Sequence, residues 1–150
     1  MRFGTSLVVV CLAIVLAATA RSAGAASAAE APEALADHGV PSGIDKRPAA
    51  GRIAILHAGL AGDAQGDTRH HGGPEKAVHH YPRDHYAAWQ AELGELPILS
   101  APAAFGENLS LTGLVETDIA IGDLFRAGTA LLQVSQGRQP CWRLNARFGV

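Results

Sequence analysis

The chain has 150 residues, of which 48% are hydrophobic and 17% are charged, and its formal net charge is -2. This length and composition are typical of one globular domain with a single hydrophobic core. A net charge of -2 provides no broad positive surface, so we expect no binding to nucleic acid and no electrostatic attraction to anionic membranes.

The first 28 residues have the pattern of a signal peptide. Arg2 precedes an apolar run over residues 7–18, and small residues follow it up to Ala28. This pattern predicts a leader over residues 1–28. The run is shorter than the roughly 20 residues that cross a bilayer, so no stable membrane span is expected. A genuine leader predicts an exported or periplasmic protein, and a mis-assigned start predicts a cytoplasmic one.

Residues 29–38 are rich in Ala, Glu and Pro and have no periodic hydrophobic pattern. Such a segment is typical of a flexible tether. The domain itself is therefore expected over residues 39–150. Its first turn-rich stretch leads to Arg52–Leu56, which is short and apolar enough to predict a strand.

The middle of the domain contains the strongest helix pattern. A strand is predicted over Lys76–His80, with Pro82 ending it. The helix follows over Asp84–Leu93 and ends at Gly94. Three apolar side chains share one helical face and are expected in the core: Tyr86, Trp89 and Leu93.

Short strands separated by tight turns fill the last third of the chain. They are predicted over Asp118–Ile121, Leu124–Arg126 and Ala130–Ser135. Regularly spaced short strands favour a barrel or sandwich over a doubly wound sheet. The predicted fold class is therefore mostly β with one or two short helices.

The segment from His70 to Pro82 contains several imidazoles and a lysine, which rarely gather for packing alone. Gly72 and Gly73, which follow His71, let backbone N–H groups approach an anion closely, although a simple surface turn has the same composition. Lys76 supplies a mobile positive charge suited to phosphate, whereas most lone lysines are simply solvated.

His79 and His80 are adjacent, and adjacent side chains of a strand point to opposite faces. Only one of them is then expected in a site. We choose His80, because alternation along the predicted strand places it on the same face as Lys76.

Two later motifs also carry candidate site residues. Cys141 follows Pro140 on a stiff loop, where its thiol is either a soft metal ligand or a small buried side chain. Arg138 is suited to gripping a phosphate. Glu107 and Asn108 lie in a turn where they are able to position a substrate or to hydrogen-bond a cofactor, although Asn also stabilises ordinary turns.

The segments 70–82, 105–109 and 139–144 occur in the order and form of the MOSC domain family, in its YiiM-like branch, which this chain resembles. The resemblance implies a β-barrel that binds the molybdenum cofactor (molybdopterin), with Cys141 as metal ligand and catalytic residue. It implies an oxidoreductase that reduces N-hydroxylated small molecules with electrons from a reductase partner. The residues expected to bind the cofactor are His71, Gly72, Gly73, Lys76, His80, Arg138, Glu107 and Asn108.

Two alternatives remain open at the level of sequence. Members of this branch continue beyond the cysteine motif, whereas this chain ends at Val150, so an incomplete barrel is expected. An incomplete barrel is compatible with a non-catalytic fragment or a cofactor or sulfur carrier. The histidines also suggest a zinc site in an exported binding protein, although their spacing provides neither a helical pair nor a cysteine knuckle.

Overall fold

The computed structural model describes residues 9–16, 25–28, 33–34 and 41–150, and of the first three ranges it describes the backbone alone. The predicted leader and tether lie partly outside these residues. Within the leader, Val9–Leu16 form a strand. The signal peptide stays a prediction.

Eleven strands occur in the described part of the chain, most of them short. In chain order they are β1 Val9–Leu16, β2 Ala25–Ala28, β3 Glu33–Ala34, β4 Pro41–Ser42, β5 Arg47–Pro48, β6 Ile55–Leu56, β7 Gly59–Leu60, β8 Val78–Pro82, β9 Leu109–Leu111, β10 Leu124–Ala127 and β11 Ala130–Arg138. Seven of them form one sheet in the order β10-β11-β1-β8-β9-β2-β5, and β3-β4 and β6-β7 form two small separate sheets. The mostly β prediction is confirmed.

The large sheet is open in the described residues. Its neighbours pair antiparallel except β8 and β9, which run parallel with His80 opposite Leu109. The outermost strands, β10 and β5, do not pair with each other. The described residues thus form an open sheet and no closed barrel, in line with the incomplete barrel that was expected, and unpaired strand edges remain at both ends.

The two longest strands within residues 41–150 are β11 and β8, and they differ in how many faces are buried. Along β11, Ala130, Leu132 and Val134 are buried and alternate with partly exposed residues, as expected of a strand with one covered face. All five residues of β8 are buried. A strand buried on both faces is typical of the inside of a sheet.

Three short α-helices lie in the described residues: α1 Thr68–His71, α2 Tyr86–Leu93 and α3 Trp142–Phe148. Four 3₁₀ turns accompany them: Pro74–Lys76, Arg83–His85, Pro97–Ser100 and Glu116–Asp118. The α2 prediction is confirmed, with a 3₁₀ turn in place of its first residues. Sequence reasoning missed α3. Across the described ranges, none of the helices has the length and hydrophobicity to cross a membrane.

Several predicted strands differ from the structure. Only Ile55–Leu56 of Arg52–Leu56 is a strand. The segment Asp118–Ile121 forms no strand, because a 3₁₀ turn ends at Asp118 and Ile121 is 74% exposed. Lys76 belongs to a 3₁₀ turn instead of the strand, which begins at Val78.

Two hydrophobic clusters make up the core. One lies on the sheet around Val78, Leu132 and Val134. The other joins α2 and α3 through aromatic side chains, and its Tyr81 and Phe105 rings lie 4.2 Å apart. The predicted core face of α2 is confirmed, because Tyr86, Trp89 and Leu93 all belong to this second cluster.

Candidate functional site

A pocket that is partly open to solvent lies between loops that leave the central strands. Its wall comes from five segments: 42–46, 63–67, 71–79, 105–108 and 138–144. These include all three motifs that predicted a site. Segments far apart in the sequence meet here because β8 lies next to β9 in the sheet and β11 ends at residue 138.

Cys141 lies in the pocket wall, half-buried and free of any disulfide. It is the N-cap residue of α3, with extended backbone angles (φ -115°, ψ 163°). The β11 strand ends three residues earlier, at Arg138. A short connection between a strand and a helix thus holds the thiol at the pocket surface, as the sequence predicted.

Arg138 and His71 form a contact across the pocket wall. The Arg138 guanidinium Nη2 lies 2.8 Å from His71 Nδ1. Since guanidinium only donates, His71 accepts at Nδ1. Burial and the Arg138 and Arg143 charges lower the pKa of His71 to about 4, so its ring is neutral near pH 7. Both residues line the pocket, as expected.

Lys46 and Asp63 form a buried ion pair that sequence reasoning did not assign to the site. Their side chains are only 7% and 3% exposed, and both line the pocket. Burial lowers the pKa of Lys46, and the neighbouring Asp63 carboxylate opposes that shift. No local pattern marks them, because they lie 17 residues apart and meet only in the folded chain.

Asn108 lines the pocket, as predicted, and links two parts of its wall. Its Nδ2 donates to Asp63 Oδ2 at 2.8 Å. Its Oδ1 accepts from the His79 backbone N–H at 3.1 Å, and its own N–H donates to the His79 carbonyl at 2.7 Å. The side chain and backbone of Asn108 therefore hold His79 on both sides.

The prediction that His80 faces the pocket is wrong, because His79 faces it instead. His80 is 1% exposed, and its two ring nitrogens lie 2.9 Å from the Leu109 carbonyl and 3.0 Å from the Leu114 carbonyl. The parity argument from Lys76 fails because Lys76 lies outside the strand. Alternation counted from Val78 says only that the two histidines face opposite ways.

Glu107 was also expected to line the pocket, and the structure places it in the core instead. It is 0% exposed and accepts hydrogen bonds from the hydroxyls of Tyr86 and Ser110. It also accepts from the backbone N–H groups of Ala103, at 2.8 Å, and Phe105, at 3.0 Å. Glu107 thus holds the turn that carries Asn108, and its carboxylate is fully engaged there.

The two glycines of the His-rich segment lie outside the pocket wall. A Cβ on Gly72 would come within 2.6 Å of the Thr68 carbonyl oxygen, so this position requires glycine for close packing. Gly73 has a φ of +93°, which glycine tolerates. Both glycines shape the turn here, and their predicted contact with an anion stays a prediction. Lys76 lines the pocket, and its Nζ donates to the His70 carbonyl at 2.7 Å.

The pocket has an excess of positive charge. Four cationic side chains line it: Lys46, Lys76, Arg138 and Arg143. Only two carboxylates do so, those of Asp63 and Asp67. Arg143 is 12% exposed and lies 3.9 Å from Asp67. An anionic ligand suits such a wall. The described residues contain no cluster of three or more His, Cys, Asp or Glu able to hold a metal ion, so the zinc alternative has no assembled ligand set there.

The chain matches curated relatives over about three quarters of its length. It is 47% identical to Protein YiiM of Escherichia coli over 112 residues, which is 75% of this chain and 50% of that protein. It is 47% identical to the uncharacterized protein YflK of Bacillus subtilis over 111 residues, 74% of this chain and 49% of YflK. A protein named "Reductase" from Gibberella moniliformis is 40% identical over 110 residues, 73% of this chain and 19% of the other. The chain thus spans about half the length of the two bacterial relatives.

Solved structures give the same result for the fold. YiiM from Escherichia coli superposes with a TM-score of 0.61 at 43% identity, covering 71% of this chain and 48% of the other. YiiM from Geobacillus stearothermophilus has a TM-score of 0.64 at 34% identity, and the match covers 85% of this chain and 56% of the other. The family model of the MOSC domain matches residues 67–150. This range includes α1, β8, the Glu107 turn and Cys141. This chain therefore belongs to the MOSC domain family and is a YiiM-like member of it.

Proposed function

We propose that the pocket binds the molybdenum cofactor through the Cys141 thiolate and that the loaded protein reduces N-hydroxylated small molecules. The observation that carries the proposal is a free thiol in the wall of a positively charged pocket. The relative named "Reductase" adds support for redox chemistry. Substrate and electron donor are proposals for the whole protein.

The residues present fit a molybdopterin cofactor. Thiolate is a soft ligand of the kind that a thiol-bound molybdenum centre requires. The cofactor also carries a phosphate, and Arg138, Lys76 and Arg143 provide charge for it. Two buried polar atoms of the wall, His79 Nε2 and Arg143 Nε, have no protein partner among the described residues. Unpaired polar atoms in a pocket are typical of a ligand site.

When bound, the cofactor supplies a centre that accepts and delivers two electrons. Reduction of a hydroxylamine R–NH–OH consumes two electrons and two protons, breaks the N–O bond and yields R–NH₂ and water. The electrons come from a reductase partner. The chain itself would bind and orient the reactants. The Cys141 thiolate would be the metal ligand, and Arg138, which donates to a neutral His71, would provide positive charge for the phosphate. Asn108 keeps His79 in place.

A second candidate is a protein that binds the same cofactor without turnover, as a carrier. The open edges of the sheet at β5 and β10 favour it, because a preorganised catalytic wall needs a well-supported scaffold. Both candidates predict bound molybdenum, and they differ in reduction of substrate.

The test is elemental analysis of the protein purified from a host that makes the cofactor. The variants are Cys141→Ala and, as a control, Ser100→Ala, a change to the same residue at an exposed position outside the pocket wall. We expect near-stoichiometric molybdenum in the wild type and in Ser100→Ala, and almost none in Cys141→Ala. Turnover of an N-hydroxylated nucleobase with reduced methyl viologen supports the enzyme, and metal without turnover supports the carrier. A wild-type protein without molybdenum contradicts both.

A further inference from the structure

Two polar atoms in the pocket wall lack a hydrogen-bond partner within the part of the chain that the structure describes: His79 Nε2 and Arg143 Nε. His79 is 5% exposed, so bulk water does not replace the missing partner. A buried polar atom without a partner is costly and rare in folded proteins. Both residues line the same pocket, so a bound molecule is able to supply what each of them lacks.

The hydrogen bond at the other ring nitrogen fixes the role of His79 Nε2. Its Nδ1 lies 3.3 Å from the Gly106 carbonyl oxygen, and a carbonyl only accepts, so Nδ1 carries the hydrogen. Burial and the nearby Arg138 and Lys46 charges hold the pKa of His79 well below its usual value. The ring is therefore neutral near pH 7, and Nε2 is left as an acceptor with a free lone pair.

His79 is also held rigidly. Asn108 bonds both backbone polar groups of His79, at 3.1 Å and 2.7 Å, and Gly106 fixes its ring. The Asn108 side chain is in turn anchored to Asp63 at 2.8 Å. An acceptor held from three sides is preorganised for one donor position.

We propose that His79 Nε2 selects for a bound molecule that presents an N–H or O–H donor, while Arg143 Nε–H donates to an acceptor on the same molecule. This proposal rests on the proposed function, since it concerns what that pocket holds. The surrounding cations attract anions in general, but an anion without a hydrogen to donate leaves His79 unpaired. His79 therefore requires a hydrogen-bond donor on the bound molecule, which the positive charge of the pocket does not require. Two sources offer such a donor: the N–H groups of the pterin ring system, or the hydroxylamino group of the substrate.

Two substitutions of His79 test the roles of its two ring nitrogens separately. His79→Asn keeps an N–H donor near the Nδ1 position for Gly106 and removes the acceptor at Nε2. His79→Gln places an amide near the Nε2 position and loses the donor to Gly106. His57→Asn is the matched control, because His57 is exposed and lies outside the pocket wall.

Three readouts are measured, two of them on protein purified from a host that makes the cofactor and the third on cofactor-free protein. Pterin content is determined by fluorescence after oxidative release, the Kd of an N-hydroxylated nucleobase for the oxidised protein by calorimetry, and the unfolding temperature on protein from a host lacking the cofactor. We expect His79→Asn to weaken binding of one of the two molecules about tenfold, the loss of one hydrogen bond, while unfolding of the cofactor-free protein changes little. His79→Gln and His57→Asn are expected to bind within about threefold of the wild type.

The outcomes show whether the donor belongs to the cofactor or to the substrate. They also show whether a negative result contradicts this inference alone or the proposed function as well. Lost pterin in His79→Asn assigns the donor to the cofactor, and retained pterin with weaker substrate binding assigns it to the substrate. If both are unchanged while the wild type holds pterin, this inference is overturned and the proposed function stands. A wild type without pterin overturns both. If His79→Asn does not fold, His79→Gln decides, because its failure to bind while folded contradicts the proposal.

Discussion

Two regions of this protein bury polar side chains, and they differ in whether those side chains find hydrogen-bond partners within the protein. The Glu107 cluster, which consists of Glu107, Tyr86, Ser110 and the 103–105 backbone, gives the carboxylate four donors. The pocket wall, which includes Asn108 of the same turn and His79 of β8, leaves His79 Nε2 without a protein partner among the described residues. The carboxylate of the first region has all its partners within the protein, whereas the second region has buried polar atoms that lack a partner among the described residues.

The difference separates residues that stabilise the turn beside the pocket from residues that we propose to bind a ligand in it. Burial and the Glu107 charge raise the pKa of Tyr86, so its hydroxyl stays protonated and donates to Glu107. Glu107 in turn holds Ala103, whose φ of +69° is unfavourable for a residue with a side chain, while Arg147 binds the Ala103 carbonyl at 3.3 Å. Glu107 therefore acts on the pocket through the turn. Three substitutions test this separation.

The largest effect is expected from Glu107→Ala. It leaves two hydroxyls and two backbone N–H groups buried without their acceptor, and we expect a loss of about 4 to 6 kcal/mol in the free energy of unfolding. Urea denaturation measures it. The control is Glu95→Ala, at an exposed position, which is expected to change stability little. A Glu107→Ala protein of wild-type stability would contradict the structural role of the cluster.

A smaller loss is expected from Asp63→Asn in the pocket wall. The change leaves the buried Lys46 ammonium without its carboxylate, which costs about 3 kcal/mol when one partner of a buried pair is removed. The double variant Lys46→Met/Asp63→Asn removes the unpaired charge, so it should regain part of that stability. Urea denaturation of the two single variants and the double variant gives the coupling energy. Additive effects would show that the pair contributes no specific interaction.

The smallest effect is a pH dependence from His71. Burial lowers the pKa of His71 to about 4 in the folded chain, below the ordinary value of 6.5. Between these values the unfolded chain binds more protons, so stability decreases as the pH falls from about 6.5 to 4 and levels off below. We expect His71→Gln to reduce this slope in denaturation measured at several pH values, and the exposed His57→Gln to keep it. Titration of the His71 ring by NMR checks the pKa directly, and a value near 6.5 would contradict the half-buried Arg138 contact.

The sequence predicted much of the site because its residues lie in compact local motifs. Cys141, Arg138, Lys76, His71 and Asn108 were all expected in the pocket and line it. The predictions for His80 and Glu107 were wrong in position. Glu107 and Asn108 are neighbours in one turn, and only the fold decides which of two adjacent polar side chains turns inward.

The apolar face of α2, the hairpin β10–β11 and the half-buried thiol after β11 follow from the sequence alone, because each depends on contacts between residues close in the chain. Tertiary structure decided the rest. The Lys46–Asp63 pair joins residues 17 apart, Asn108 reaches His79 across 29 residues, and His71 meets Arg138 across 67. No local pattern encodes such pairs, since the free energy that brings them together comes from packing the whole sheet.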